Sequence, residues 1–232
     1  LEEEYDPYIL VLSSDHEIKN KEQFLKTINL GMPYASKGNL VTFGVVPTSP
    51  EVGYGYIKAK KPFLDCNPKG ECIEEFKEKP NLEMAKKYIT DKRFTWNSGI
   101  FLFKAKTIIN EIKRYCPKVY KYCQESLEKS KLDLEFQRID KESFEKCPNI
   151  SFDVAVMEET SLGVVLPLNA GWSDVGSWES VWENSKKDEN FNVIEGNIFL
   201  KDTKNSYLKS EQRLIVGIGL EGLVVVETND AV

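Results

Sequence analysis

Two unbroken apolar runs with a helical stretch between them set the tightest limit on the fold. Tyr8-Ile9-Leu10-Val11-Leu12 and Leu40-Val41-Thr42-Phe43-Gly44-Val45-Val46 do not alternate apolar with polar residues. Such runs suit strands covered on both faces, as in a parallel sheet. Between them Phe24, Leu25 and Ile28 fall at helical spacing, behind a capping Asn20 and a Gln23 three residues on. Strand, helix, strand at this spacing is a βαβ unit, so an α/β fold with a mostly parallel sheet and flanking helices is expected.

Later segments extend the pattern. Tyr56–Ala59, Cys72–Phe76, Ile100–Phe103 and Val164–Leu168 read as strands. Asn81 caps a helix running through Met84, Ala85 and Tyr88. One long amphipathic stretch covers Lys106 to about Lys129, and Trp178 to Ser185 a short helix. From about Asn190 helical periodicity stops, and short β runs with Gly and Asn turns take over. This places a catalytic-type α/β domain at 1–185 and a β-rich segment at 186–232, either the start of a β-helix or a small β extension. The chain opens on Leu1 and stops inside an apolar run, so both ends read as cut and a longer parent protein is expected.

Composition narrows the function classes. Hydrophobic residues make up 41% of the 232, enough for a core and too many for wholesale disorder. Lys plus Arg number 31 against 37 Asp plus Glu, a net charge of −6 with no basic block, so nucleic acid is not expected as a partner. No apolar window is long enough to cross a membrane. Cysteines at 66, 72, 116, 123 and 147 are odd in number and form no C-x-x-C. Neither a zinc site nor a disulfide framework follows, and reduced thiols in the cytoplasm are expected.

Candidate chemistry collects where strands end, since ligands of open α/β sheets bind beyond the carboxyl ends. Asp15 follows the first run: it either holds a hard cation such as Mg²⁺ or caps the turn. His16, the one histidine, reads as a hydrogen-bonded structural residue. Gly53 and Gly55, flanking Tyr54, either admit a ligand close to the backbone or make a plain turn. Glu78 and Lys79 converge only if their strand bends or stops, which Pro80 favours; a Glu suits sugar hydroxyls and a Lys suits phosphate. Asn97, in Trp96-Asn97-Ser98-Gly99, offers a donor and an acceptor. Asp174, inside Trp172-Ser173-Asp174-Val175-Gly176-Ser177-Trp178, is either a second carboxylate for a metal or part of a helix start.

Together these stretches, with Asp153-Val154-Ala155-Val156-Met157-Glu158, resemble the sugar-nucleotidyltransferase family over roughly residues 8 to 228, most closely its bacterial guanylyltransferase branch. The resemblance implies a Rossmann-like fold of the nucleotide-diphospho-sugar transferase type. It implies GTP and mannose 1-phosphate as substrates, GDP-mannose as product, Mg²⁺ as cofactor and a homodimer as the assembly. Asp15 and Asp174 match the metal aspartates, Gly55, Glu78 and Asn97 the sugar pocket, and Lys79 the lysine on the sugar phosphate. Gly53 belongs to the same pocket motif, and Asp153 to a motif near the sugar. The family's Gly-rich nucleotide loop lies before the Asp15 strand and is absent from this chain, so the reader of the base is not in view. Some members carry a C-terminal domain with mannose-6-phosphate isomerase activity, which this chain does not reach. Two alternatives remain: a glucose-1-phosphate enzyme using UTP or dTTP, and a silent sugar-nucleotide-binding regulatory subunit.

Overall fold

The computed structural model describes residues 5–63 and 69–231; Leu1 and Cys66 lie outside them. In chain order the elements begin with β1 (Tyr8–Val11), β2 (Glu17–Ile18), α1 (Lys21–Ser36), β3 (Leu40–Val45), β4 (Tyr56–Ala59) and β5 (Glu71–Lys77). They continue with α2 (Leu82–Tyr88), β6 (Phe94–Lys104), α3 (Ala105–Tyr115), α4 (Pro117–Glu128), β7 (Lys131–Asp133), β8 (Phe136–Arg138), α5 (Lys141–Phe144) and a π-helical turn at Asp153–Met157. Then come β9 (Gly163–Pro167), β10 (Trp172–Ser173), α6 (Trp178–Asn184), β11 (Val193–Glu195), β12 (Ile198–Lys201), β13 (Tyr207–Ser210), β14 (Ile215–Ile218) and β15 (Val224–Glu227). The chain divides into two compact units, Leu1–Ser14 with Ile18–Trp172, and Asp15–Glu17 with Ser173–Val232.

The first unit is built on a six-stranded sheet, ordered β1-β6-β3-β9-β5-β4. Alternation along β3 sorts the core onto its two faces. Val41 and Phe43 join Ile100, Leu102, Val164 and Leu166 under α1, which contributes Phe24, Ile28 and Ala35. Leu40 joins Ile57, Phe101, Phe103 and Val165 on the other face, against Ile108 of α3 and Ala155, Val156 and Met157 of the π-helical turn. Each fully buried Leu or Phe contributes about 1.5–3 kcal/mol. Asn20 and Asn81 cap as expected, their Oδ1 atoms accepting from the Gln23 and Met84 N–H groups at 2.9 Å.

Three expectations are corrected. The sheet is mixed, not mostly parallel: among the described residues only β3–β9 is a parallel pairing, while β1–β6, β3–β6, β4–β5, β4–β6 and β5–β9 are antiparallel. The two apolar runs do point the same way, but β6 runs against both and sits between them. Hydrophobic pattern reports burial, not which strand is the neighbour. For the same reason β1 is not a strand covered on both faces; all four of its residues are exposed. The long amphipathic stretch is two helices, because Pro117 disfavours helical backbone at Cys116 and then serves as the first residue of α4.

The second unit is a stack of parallel ladders. β13 pairs with both β11 and β15, and β12 with β14. Val193, Tyr207 and Leu208 are buried inside it. The unit starts at Ser173, earlier than the change of texture near residue 186, because α6 packs on the ladders. Trp178 meets the Tyr207 ring at 5.6 Å, and Trp182 Nε1 donates to Phe191 O at 2.9 Å.

Candidate active site

In the first unit, four sequence-predicted residues meet at one point. β5 stops at Lys77 and the backbone turns at Lys79, whose φ is +44°. That stop is what lets Glu78 swing toward Asn97 of β6. Gly55, just before β4, lies under them: a Cβ there would collide with Glu78 Oε2 and come within 3.3 Å of the Asn97 Cβ. The Asn97 N–H donates to Gly55 O at 2.8 Å, so the glycine backbone is fixed in place. Asp153 opens the π-helical turn, and its Oδ1 accepts from Asn97 Nδ2 at 2.9 Å.

The Asn97 amide is largely committed within the protein. Its Oδ1 accepts from the Gly99 N–H at 3.1 Å and from the Thr42 hydroxyl at 3.4 Å. Asn97 therefore orients Asp153, and the two carboxylates are the groups left to face a ligand. Burial pushes the Asp153 carboxyl above the usual range, against the Asn97 bond and Lys79, which favour the charged form. Burial also pushes Glu78 up, with Asp153 adding to it and Lys79 opposing. Glu78 Oε2 is buried and has no hydrogen-bond partner in the protein. A hydroxyl donor from a ligand would satisfy it; left unmet, it costs about 1–3 kcal/mol. Gly53 does not join the cluster, for a Cβ added there meets nothing within 4 Å.

A cleft of about 530 Å³ opens in the same unit at the carboxyl ends of the parallel pair β3–β9, lined among others by Val46, Thr48, Phe63, Asn169 and Trp172. Tyr54 packs edge-on to Trp96 at 5.2 Å and to Trp172 at 5.6 Å, which ties the glycine loop to the aromatic wall of the cleft. The sequence reading missed Thr48 and Asn169. Applying the strand-end rule to β3 and β9, as it was applied to Asp15, finds both. It also gave Glu158 no role, yet Glu158 Oε1 accepts from the Glu78 N–H at 3.2 Å.

Asp15 and Asp174 both belong to the second unit. β2 pairs with β10, and Lys19 N–H to Gly171 O and Asn20 N–H to Ala170 O show the flanking chains running antiparallel. Continuing that register sets Glu17 opposite Ser173, so Asp15 and Asp174 leave the ladder at the same end. The Asp15 side chain is 82% exposed and 4.0 Å from His16 Nε2. Asp174 Oδ1 accepts from the Gly176 N–H at 3.2 Å across a turn whose middle residue, Val175, has φ +51°. Among the described residues no group of three or more His, Cys, Asp and Glu could hold a metal. The exposed Asp15 and the half-buried Asp174 are hard oxygen ligands that suit a cation keeping water and substrate oxygens as its other ligands, as Mg²⁺ does.

The family model for nucleotidyl transferases matches residues 1–190. The chain belongs to the nucleotidyl transferase family. Among curated nucleotidyl transferases it is 48% identical over 229 residues to the mannose-1-phosphate guanylyltransferase of Salmonella montevideo, covering 97% of this chain and 48% of that protein. It is 44% identical over 230 residues to the mannose-1-phosphate guanylyltransferase of Escherichia coli K12, covering 99% of this chain and 48% of that protein. The chain thus spans about half the length of these relatives. A solved structure described as a mannose-1-phosphate geranyltransferase, from Thermus thermophilus, superposes with a TM-score of 0.81 at 29% identity, over 96% of this chain and 63% of that one.

Proposed function

We propose that the protein containing this chain transfers GMP from GTP to mannose 1-phosphate, giving GDP-mannose and pyrophosphate. The observation that carries the reading is the meeting of Gly55, Glu78, Asn97 and Asp153 at one point, in a chain whose relatives are named for that reaction. Two carboxylates, one with an unmet acceptor, suit the vicinal hydroxyls of a hexose.

The phosphate oxygen of the sugar attacks the α-phosphorus of GTP in line, and pyrophosphate leaves. No covalent enzyme intermediate is required, and catalysis is positioning plus charge stabilisation. Glu78 and Asp153 accept hydroxyl hydrogens and fix the sugar ring. Gly55 leaves room for the Glu78 carboxylate, and Glu158 holds the Glu78 backbone. Lys79, next in the chain, meets the sugar phosphate as a point charge. Asp15 and Asp174 would hold Mg²⁺, which when bound neutralises phosphate charge.

The test is pyrophosphate release by the full-length protein from GTP and mannose 1-phosphate, with and without Mg²⁺. Turnover is expected only with the metal, and Asp174→Asn should lower it by at least about 100-fold. Full turnover in that variant would remove the metal assignment. Turnover with glucose 1-phosphate but not mannose 1-phosphate would remove the substrate.

A further inference from the structure

The strand that carries the site's lysine ends on a strained residue. Lys79 has φ +44°, a value that residues with a Cβ seldom adopt. The following Pro80 makes it harder still, because proline drives the residue before it toward extended backbone. Strain of this kind persists only where the surroundings impose it. On one side of Lys79 the proline ring is buried. On the other, the first N–H beyond β5 is that of Glu78, and it donates to Glu158 Oε1 at 3.2 Å. Lys79 is thus pinned between two fixed points while its own side chain stays exposed.

Glu158 can serve as an anchor because its backbone does not move with that strand end. It closes the π-helical turn, its N–H donating to Asp153 O at 2.9 Å, and the Glu159 N–H donates to Val156 O at 3.1 Å. Ala155, Val156 and Met157 root the turn in the core. The Glu158 side chain therefore joins two stretches 80 positions apart in the chain, one bearing Glu78 and Lys79 and the other bearing Asp153.

We propose that Glu158 is a positioning residue for Lys79: it holds the lysine in its strained backbone conformation and so sets the affinity for the phosphate of the sugar phosphate. The inference rests on the reading of Lys79 as the cation that meets that phosphate. Glu158 itself touches no substrate. The Glu78 carboxylate is confined separately, above Gly55 and beside Asn97, so Lys79 is the residue released when the clamp is lost. The Glu78 N–H needs an acceptor and not a charge, so a glutamine oxygen at position 158 serves equally well.

The test compares Glu158→Ala and Glu158→Gln with the wild type in the full-length protein, assayed with GTP and mannose 1-phosphate. In Glu158→Ala, KM for mannose 1-phosphate should rise about 5- to 20-fold. In the same variant kcat should stay within about 3-fold and KM for GTP should not move. Glu158→Gln should restore the wild-type KM. The bond is exposed, so Tm should stay within about 2 °C in both variants. Hydrogen exchange read by mass spectrometry should show the peptide across the end of β5 losing protection in Glu158→Ala and keeping it in Glu158→Gln. An unmoved KM, an equal rise in KM for GTP, no rescue by Gln, unchanged exchange, or a fall in Tm of more than about 5 °C together with kcat overturns the proposal. A wild type that releases no pyrophosphate from this substrate pair overturns the reading of the site, and the role of Glu158 falls with it. Normal wild-type turnover with an unmoved KM in Glu158→Ala overturns the clamp alone.

Discussion

Gly55 is where a single atom separates folding from activity. A methyl group there strikes the end of the Glu78 side chain, which can move, and no backbone atom. Gly55→Ala should therefore melt within a few degrees of the wild type while kcat/KM for the sugar phosphate falls on the order of 10- to 100-fold. Unchanged kinetics would show that Glu78 is not held where the substrate needs it. The two carboxyls also set a pH signature. Asp153 and Glu78 are raised above 3.8 and 4.5, so across the mildly acidic range the folded chain keeps protons that the unfolded chain has released. Their contribution to stability is thus lost as pH rises through their folded values. Asp153→Asn keeps an acceptor for Asn97 and removes the charge, so Tm plotted against pH should fall less steeply than in the wild type. Identical slopes would contradict a buried, costly carboxylate. Asn97 and Asp153 are 56 positions apart, and no local spacing announces that one orients the other. The family motifs marked both as pocket residues, whereas the hydrogen bonds divide the roles.

At the scale of the element, the last strand closes its coil with an internal anion. The Glu227 side chain is 1% exposed, and its Oε2 accepts from the N–H groups of Glu211, Gln212 and Arg213 at 2.9–3.0 Å. Those bonds hold its carboxyl below the usual range. A lowered folded value means that this support is complete above the ordinary glutamate range and disappears as acid protonates the group. Glu227→Gln should lower the Tm of the ladder unit at neutral pH and flatten its loss of stability in acid, followed by circular dichroism. An unchanged acid limb would mean that the nest does not depend on charge. Helix caps at Asn20 and Asn81 were legible because side chain and target lie three residues apart. The break at Cys116 was equally local, and an amphipathic pattern running through Pro117 obscured it. Glu227 was not legible, because the turn it fills lies 14–16 residues earlier.

For the whole molecule, the sequence carried strand existence better than strand neighbours. β3, β4, β5 and β9 lie where apolar runs place them, yet β3 and β4 both take β6 as a partner, which their own patterns do not announce. That strand pairs with β1 and β4 along one side and β3 along the other, and it also carries Asn97. Its own length was underestimated, because the apolar run starts only at Ile100, after Asn97, Ser98 and Gly99. They lie within the strand, beside a register shift against β3 between Thr42 and Gly44. No hydropathy window registers such an irregularity. The ladder unit was legible as β-rich, but its boundary was not, since α6 looks like any amphipathic helix until the residues under it are known.

β6 therefore leaves no room for editing. Lengthening it by one position would slip three neighbouring strands and turn Asn97 to the opposite face. By contrast, the β7–β8 hairpin projects Leu132 and Leu134 at 85% and 93% exposure. A peptide tag or fluorescent reporter spliced into the chain belongs at that hairpin tip, where nothing else in the sheet keeps count.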